Sequence, residues 1–122
     1  MTEQTFFKAD DAEAGLFRQL AEGVSTRLFP GNQAMLSFVK VEAGAKGTLH
    51  HHPEEQWGYV LSGGGKRFQG DEVWDFGPGD FWRAPGGVPH TVEAGPDGAL
   101  ILDVFAPPRE AYRKAGSGFA QE

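Results

Sequence analysis

Four side chains in this sequence have the types and spacing to hold a metal ion together. His50 and His52 are two residues apart, and in an extended strand they share one face while His51 points away. Gln56 has the same parity, so its amide oxygen reaches the same point if the strand continues. His90 follows a turn rich in proline and glycine that leads into another strand. Two imidazoles from one strand and a third from a neighbour suit a divalent metal, so the sequence predicts a metal site.

The predicted ligand set is electrically neutral, and this determines its chemistry. A metal ion held by three imidazoles and an amide oxygen keeps its full charge and has open positions for water or substrate. Such a centre lowers the pKa of a bound water or polarises a carbonyl or enol oxygen. Ni²⁺, Zn²⁺, Mn²⁺ and Fe²⁺ all accept these donors, so the ligands do not select the metal. Histidines that merely pack in strands are the alternative, but three of the chain's four histidines at this spacing favour a metal site.

A carboxylate interrupts the apolar segment 100–105. Strand alternation puts Asp103 and Phe105 on one face, with Phe105 as a pocket wall or a core residue. If that face lines the interior, Asp103 is a desolvated acid near a metal, which suits a group that exchanges protons. Its alternative is a structural carboxylate held by backbone amides or by Arg109. Arg109 follows two prolines and is predicted to clamp a substrate carboxylate, or else to pair with Glu110 or another acid at the surface.

The composition indicates one domain with a modest core. The 122 residues include no cysteine, which excludes disulfides and thiolate metal sites and fits a reducing compartment. The N-terminus lacks a secretory signal and no apolar run reaches the roughly 20 residues of a membrane helix, so we expect a cytoplasmic protein with no membrane partner. The net charge of −6 argues against nucleic acid, although inward-pointing arginines remain compatible with a small anionic ligand. Glu54 and Glu55 are interpreted as exposed turn charge, with Glu55 alternatively orienting a ligand histidine.

Short apolar runs punctuated by glycine and proline predict an all-β domain, either a sandwich or a barrel. We expect a single domain over 1–122, with an N-terminal arm over 1–23, a barrel core over about 24–106 and a C-terminal tail over 107–122. Helical spacing of apolar residues predicts a short helix within 11–22, with an irregular arm as the alternative. The composition of 107–114 predicts a second short helix. The predicted strands are 24–29, 34–41, 48–52, 56–61, 66–69, 73–76, 81–84, 91–94 and 100–105, and Ser62 to Gly65 are predicted to close a turn.

Two groups of residues resemble the paired motifs of the cupin superfamily. The first motif has a glycine, two spaced histidines, an acidic or amide ligand and a closing glycine, and the second has a proline-glycine turn before the last histidine. This chain departs from the usual pattern with Gln56 in place of glutamate and Ala94 in place of asparagine. The resemblance implies a double-stranded β-helix, the cupin jelly roll. The matching residues are Gly44, His50, His52, Gln56 and Gly63 in the first motif, and Gly79, Pro85, Gly87 and His90 in the second.

A narrower resemblance joins the glutamine ligand to the segment 102–110. Together they are similar to the KdgF type of cupin, which opens unsaturated uronate sugars to linear keto forms. That resemblance implies that Asp103, Phe105 and Arg109 line the pocket beside the metal. Small cupins of this kind also pair through their barrel strands, and the aromatic content of this chain exceeds the needs of one small core, so we expect a homodimer.

Three hypotheses of function follow from these features. The first is a metal-dependent lyase or isomerase acting on a small oxygen-rich substrate, carboxylated and sugar-acid-like, with Asp103 moving a proton and Arg109 binding a carboxylate. The second is an Fe²⁺-dependent dioxygenase acting on a diketone or phenol, for which three tryptophans and Phe105 would form an apolar pocket. The third is a non-catalytic module that binds a metal or small molecule. Fold is a poor guide to chemistry, so measurements of metal content and oxygen uptake are needed to distinguish these hypotheses.

Overall fold

The computed structural model describes residues 3–114 and 116–120, which form a seven-stranded antiparallel jelly roll. The predicted all-β cupin fold is therefore confirmed. No helix in these two ranges is long and apolar enough to cross a membrane. The strands are β1 (Leu16–Ala21), β2 (Val24–Pro30), β3 (Met35–Val41), β4 (Glu55–Gln69), β5 (Glu72–Phe76), β6 (Phe81–Ala84) and β7 (His90–Ala106), followed by a 3-10 turn over Glu110–Arg113.

The strand order brings the chemically interesting positions to one interior. The strands are ordered β1-β2-β3-β7-β4-β5, and β6 pairs with the free part of β4. On the inner face, Gly58 of β4 lies opposite both Trp82 of β6 and Asp103 of β7, and Asp103 in turn lies opposite Ser37 of β3. The buried apolar residues that form the core are Leu20, Val24, Leu28, Met35, Val39, Val41, Val60, Phe76, Trp82, Ala94, Ala99, Ile101, Phe105 and Tyr112.

The helix predicted within 11–22 is wrong, because this segment contains β1. Strand β1 pairs antiparallel with β2, whose edge would otherwise present unpaired backbone groups. Alternate residues Arg18 and Leu20 are buried, whereas Phe17 remains 64% exposed. This alternation has the period of a strand, and the apolar spacing that suggested a helix reflects an outward-facing phenylalanine. The second predicted helix is reduced to the single 3-10 turn.

Several strands that the sequence divides are continuous in the structure. The predicted turn at Ser62 to Gly65 lies inside β4, where the register with β7 shifts twice. A Cβ atom at Gly63 or Gly65 would collide with a carbonyl oxygen of β7, so glycine permits the two long strands to approach here. The predicted strand 48–52 is instead a loop that makes one isolated bridge, between His50 and His90.

Candidate metal centre and its cavity

Three buried imidazoles converge at one end of the barrel. The ligand nitrogens of His50, His52 and His90 all lie within 4.8 Å of one another. His50 and His52 come from the loop before β4, and His90 begins β7. Main-chain hydrogen bonds between His50 and His90, at 2.9 and 3.3 Å, hold the loop against the strand. The structure therefore supports the three-histidine divalent-metal site that the sequence predicts.

In each of the three histidines, a hydrogen bond at Nδ1 fixes the direction in which Nε2 points. The Nδ1 atoms of His50, His52 and His90 bond to main-chain carbonyls two residues away, at 2.8, 3.0 and 2.9 Å respectively. A carbonyl oxygen only accepts, so Nδ1 carries the proton and the neutral ring presents its Nε2 lone pair to the common centre. Burial lowers the pKa of His50 to about 4 and that of His90 to about 2, which keeps both rings unprotonated at neutral pH.

Gln56 directs a side-chain oxygen toward one of the three histidines. Its Oε1 lies 2.9 Å from Nε2 of His52. For a neutral His52 ring with its proton on Nδ1, both atoms present lone pairs, so this approach is favourable only beside a cation. Two ligands at right angles and about 2.1 Å from one metal ion lie about 3 Å apart, which matches the observed separation. Nε2 of His90 is also buried without a hydrogen-bond partner among the described residues. The donor set fits a divalent ion.

Glu54 lies behind the metal centre, and the prediction that it is an exposed turn charge is wrong. Its side chain is buried, with Oε1 3.4 Å from Nδ1 of His52 and 3.8 Å from Nε of Arg109. A carboxylate behind a ligand histidine makes that imidazole a better donor to a metal ion. Glu55 does not orient a histidine; it lies at the surface and pairs with Arg83 at 3.1 Å.

The structure places Asp103 on the inner face of β7, in the cavity that adjoins the metal centre. The Gln56 side chain donates a hydrogen bond to it, which leaves Oε1 of Gln56 directed at His52. Burial raises the pKa of Asp103 to about 7, and the nearby positive charge of Arg67 opposes that rise. A Cβ atom at Gly58 would lie 2.9 Å from Oδ1 of Asp103 and would also collide with the Trp82 ring. Gly58 therefore leaves the room that the acid occupies.

Arg67 is a cavity residue that the sequence did not single out. Only 3% of it is exposed, and it lines the same cavity as His50, His90 and Asp103. Parity counted from the inward-facing Gln56 would place Arg67 on the outer face of β4. The register shift between Val60 and Ser62 sets two residues of β4 against one of β7 and reverses that parity, so the inner positions are even-numbered before it and odd-numbered after it. The inward position of Arg67 could have been predicted from the sequence only by locating this bulge.

Phe105 and Arg109 occupy different surroundings. Phe105 lines the cavity, with its ring centroid 5.5 Å from that of His52. Arg109 is fully buried behind it and does not line the cavity. Its guanidinium lies 4.2 Å from the Tyr112 ring centroid and donates to the carbonyl of Ala120. Glu110 pairs with Arg113 at 3.0 Å, so the acid near Arg109 is instead Glu54, in the interior and not at the surface.

The C-terminal segment 116–120 contributes a side chain to the cavity wall. The Phe119 ring stacks on His50, with centroids 4.2 Å apart, and forms part of the wall of the cavity. Arg18 holds this segment by donating to the carbonyls of Ser117 and Gly118, each at 2.8 Å. The Tyr112 hydroxyl donates to the carbonyl of Phe119 at 3.1 Å. An aromatic ring is thereby held directly against one of the three histidines.

Comparison with known families agrees with this geometry. The cupin-domain family matches residues 37–105, which is more than half of the 122 residues. The chain therefore belongs to the cupin family, and its three-histidine site is the metal site of a small cupin.

Three relatives describe its place in that family more narrowly. Oxalate decarboxylase OxdC of Bacillus subtilis (strain 168) is 34% identical over 91 residues, which cover 70% of this chain but 24% of OxdC, so the chain spans about a quarter of that relative. A structure of OxdC that concerns its Mn(II) centres has a TM-score of 0.69 at 27% identity, over 75% of this chain and 27% of that one.

KdgF from Halomonas sp. has a TM-score of 0.79 at 27% identity, over 89% of this chain and 98% of KdgF. An RmlC-like cupin from Shewanella frigidimarina NCIMB 400 has a TM-score of 0.79 at 22% identity, over 90% of this chain and 96% of that one. At this level of identity the similarity shows a shared fold and nothing further. The resemblance to KdgF is thus confirmed over nearly the whole of that protein.

Proposed function

We propose that this protein is a metal-dependent enzyme, a lyase or isomerase that acts on a small carboxylated, sugar-acid-like substrate. The observation that carries the proposal is the cavity in which a neutral three-histidine and glutamine donor set lies beside one buried acid, Asp103. Burial and the hydrogen bond from Gln56 hold that acid at a fixed position next to the metal centre. A fixed acid beside an electrophilic centre is an arrangement for proton transfer.

The roles of the side chains follow from their positions. A bound metal ion supplies Lewis acidity toward a carbonyl or enol oxygen. Asp103 takes and returns the proton, and Gln56 orients it. Phe105 and Phe119 form apolar walls that exclude water, which strengthens electrostatic interactions inside the cavity. Glu54 maintains the orientation of His52.

Ring opening of an unsaturated uronate is the concrete reaction that the resemblance to KdgF-type cupins favours. The hemiacetal hydroxyl loses its proton, its carbon–oxygen ring bond breaks to leave a carbonyl, and the enolate so released takes a proton on carbon to become a ketone. One proton leaves and one is added, so a single acid such as Asp103 is sufficient. The relationship to an oxalate decarboxylase independently supports a small carboxylate as substrate, and the Mn(II) centres of OxdC favour Mn²⁺ among the metals that the ligands accept.

Spectroscopy of the metal-loaded protein tests this function. We expect the ultraviolet absorbance of an unsaturated uronate to decay in its presence and to persist with protein stripped by a chelator, because only the conjugated double bond absorbs. Oxalate, assayed by release of carbon dioxide, tests the decarboxylase version of the same class. Unchanged absorbance together with no carbon dioxide, from protein that retains its metal, would contradict the proposal. Oxygen uptake by the Fe²⁺-loaded protein would instead favour the dioxygenase.

We also propose that two copies pair through the outer face of β4, β6 and β7. An apolar groove runs over this face, lined by Trp57, Tyr59, Phe81, Leu102 and Val104. Phe81 is 66% exposed and Tyr59 is 45% exposed, and their rings stack on each other at 6.3 Å. Exposed aromatic groups that already form a continuous surface are typical of a protein interface.

Replacing Phe81 and Trp57 with serine is expected to halve the mass of the particle in analytical ultracentrifugation, because the paired apolar surface is lost. Phe6, which is 75% exposed on the N-terminal arm, provides the matched control, and Phe6→Ser should leave the mass unchanged. A wild-type protein that sediments as a single chain would refute the pairing.

A further inference from the structure

The cavity beside the metal centre contains an arginine, Arg67, whose charge is not neutralised by an ion pair. Nε and Nη2 of Arg67 donate to Oε1 of Gln69 at 3.3 and 3.1 Å, and Gln69 is uncharged. Of the residues that the structure describes, none forms an ion pair with Arg67 within 4.0 Å. Burying a guanidinium without an anion is unfavourable, so an arginine in such a position is expected to have a function.

The other buried arginines have partners of a kind that Arg67 lacks. Arg18 bonds to three main-chain carbonyls of the C-terminal part of the chain. Arg109 has the carboxylate of Glu54 3.8 Å from its Nε. Only Arg67 of these three lines the cavity. It therefore differs from the structural arginines both in its partners and in what it faces.

The position of Arg67 is well defined. Its guanidinium carbon lies 4.8 Å from the centroid of the Trp82 ring, which itself packs edge-on against Phe76. Gln69 is held in turn, because its Nε2 donates to the carbonyl of Arg83 at 2.8 Å. A guanidinium has more N–H donors than the two that Gln69 receives, so it can still bind an anion. Stacking and hydrogen bonding fix the plane of the fork, which reduces the entropy lost when a ligand binds.

The charges in the cavity point to an anionic ligand. The donor set of three imidazoles and an amide is neutral, so it leaves the charge of a bound divalent ion intact. Arg67 adds a further positive charge, and Asp103 is the one carboxylate among the residues that line the cavity. A cavity with this excess of positive charge favours a ligand with at least one carboxylate.

We infer that Arg67 is the anion-binding group of this cavity and receives the carboxylate of the substrate. The inference rests on the proposed function and deepens it, because it assigns the carboxylate to the β4 side of the barrel. The reacting oxygen then lies toward the histidines, and Asp103 lies between the two ends. The position implied by family resemblance, Arg109, is behind Phe105 and instead supports the wall and the C-terminal segment.

Calorimetric titration of the Zn²⁺-loaded protein tests this assignment without requiring turnover. The probes are galacturonate and oxalate, with galactose as the neutral counterpart of galacturonate. We expect the wild-type protein to prefer galacturonate to galactose. Arg67→Gln should weaken the binding of galacturonate by about 10- to 100-fold, the usual value of a charged hydrogen bond, while zinc content and the binding of galactose stay unchanged. Arg83→Gln, on the neighbouring strand, is the matched control and should bind as the wild type does.

Nuclear magnetic resonance of the ¹⁵N-labelled wild-type protein gives a second readout that does not depend on the folding of a variant. The Arg67 Nε–H resonance, assigned with Arg67→Lys, should shift on addition of galacturonate or oxalate and stay in place with galactose. An Arg67 resonance that neither anion moves would overturn the inference, as would a wild-type protein that binds neither anion better than galactose. If Arg67 binds carboxylates but no turnover occurs, the proposed function fails alone. If uronate is converted and Arg67→Gln binds galacturonate normally, the inference fails alone.

Discussion

The His90→Ala protein is expected to retain less than about a tenth of the metal held by the wild type, which should carry about one ion per chain. His90 supplies one of three converging imidazoles, and its Nε2 is buried with no hydrogen-bond partner among the described residues, so the side chain has no other evident role at that atom. Loss of groups that merely support a metal ligand typically lowers affinity 10- to 100-fold, and loss of the ligand itself should exceed about 100-fold. Elemental analysis after dialysis against buffered Mn²⁺ or Zn²⁺ measures the difference.

His51 provides the internal control for this experiment. It lies between two of the ligands in sequence, is only half-buried, and is not a member of the cluster. His51→Ala should hold as much metal as the wild type. The metal should also raise the melting temperature of the wild type and His51→Ala but not of His90→Ala, because a ligand that binds only the folded state stabilises it. Equal metal contents in the two variants would show that the histidine cluster is not the binding site.

The Asp103→Asn protein is expected to keep its metal and to lose turnover by about 10²- to 10⁴-fold, the usual contribution of a general acid or base. Asparagine preserves the shape of the side chain next to Gly58, where there is no space for a larger group. What it removes is the ability to take and return a proton. Single-turnover kinetics with the substrate identified by the uronate and oxalate assays measures the loss. Asp97→Asn, at an exposed position in the same strand, should behave as the wild type.

Stability as a function of pH separates this chemical role from a structural one. Burial raises the pKa of Asp103 to about 7, well above that of an aspartate in an unfolded chain. Between these two values the folded protein binds a proton that the unfolded chain has released, so the free energy of unfolding should fall as pH rises from about 4 to 7. In chelator-treated protein, urea titrations should show this contribution in the wild type and not in Asp103→Asn. Unchanged turnover in a variant with the altered pH dependence would make Asp103 a structural acid only.

The sequence predicts the metal ligands because they depend on local rules. His50 and His52 are separated by one residue, and the proline and glycine residues before His90 lead it into a strand, so spacing and the resemblance to cupin motifs were sufficient. Asp103 was likewise visible as a carboxylate within an apolar strand. The burial pattern of β7 confirms the strand alternation for Asp103, whereas His50 and His52 reach the centre from a loop and not from the predicted strand.

The remaining features depend on tertiary structure. The inward orientation of Arg67 results from the bulge in β4 between Val60 and Ser62, which is defined by the pairing of β4 with β7. Glu54 is buried because the loop before β4 folds back toward Arg109, which local propensity does not determine. The strand Leu16–Ala21 forms because β2 offers an edge to pair with. In each case the decisive partner is distant in sequence, and no short pattern contains it.

The C-terminal segment that contributes to the cavity wall is attached through its backbone, and this has a consequence for how such a protein can diversify. Arg18 and Tyr112 hold main-chain carbonyls of residues 117–119, so the attachment does not depend on which side chains the segment carries. The residue at position 119 can therefore change in size or polarity while the segment stays in place and the barrel keeps its metal ligands. We expect substrate preference among relatives to drift at this position first, with the catalytic interior unaltered.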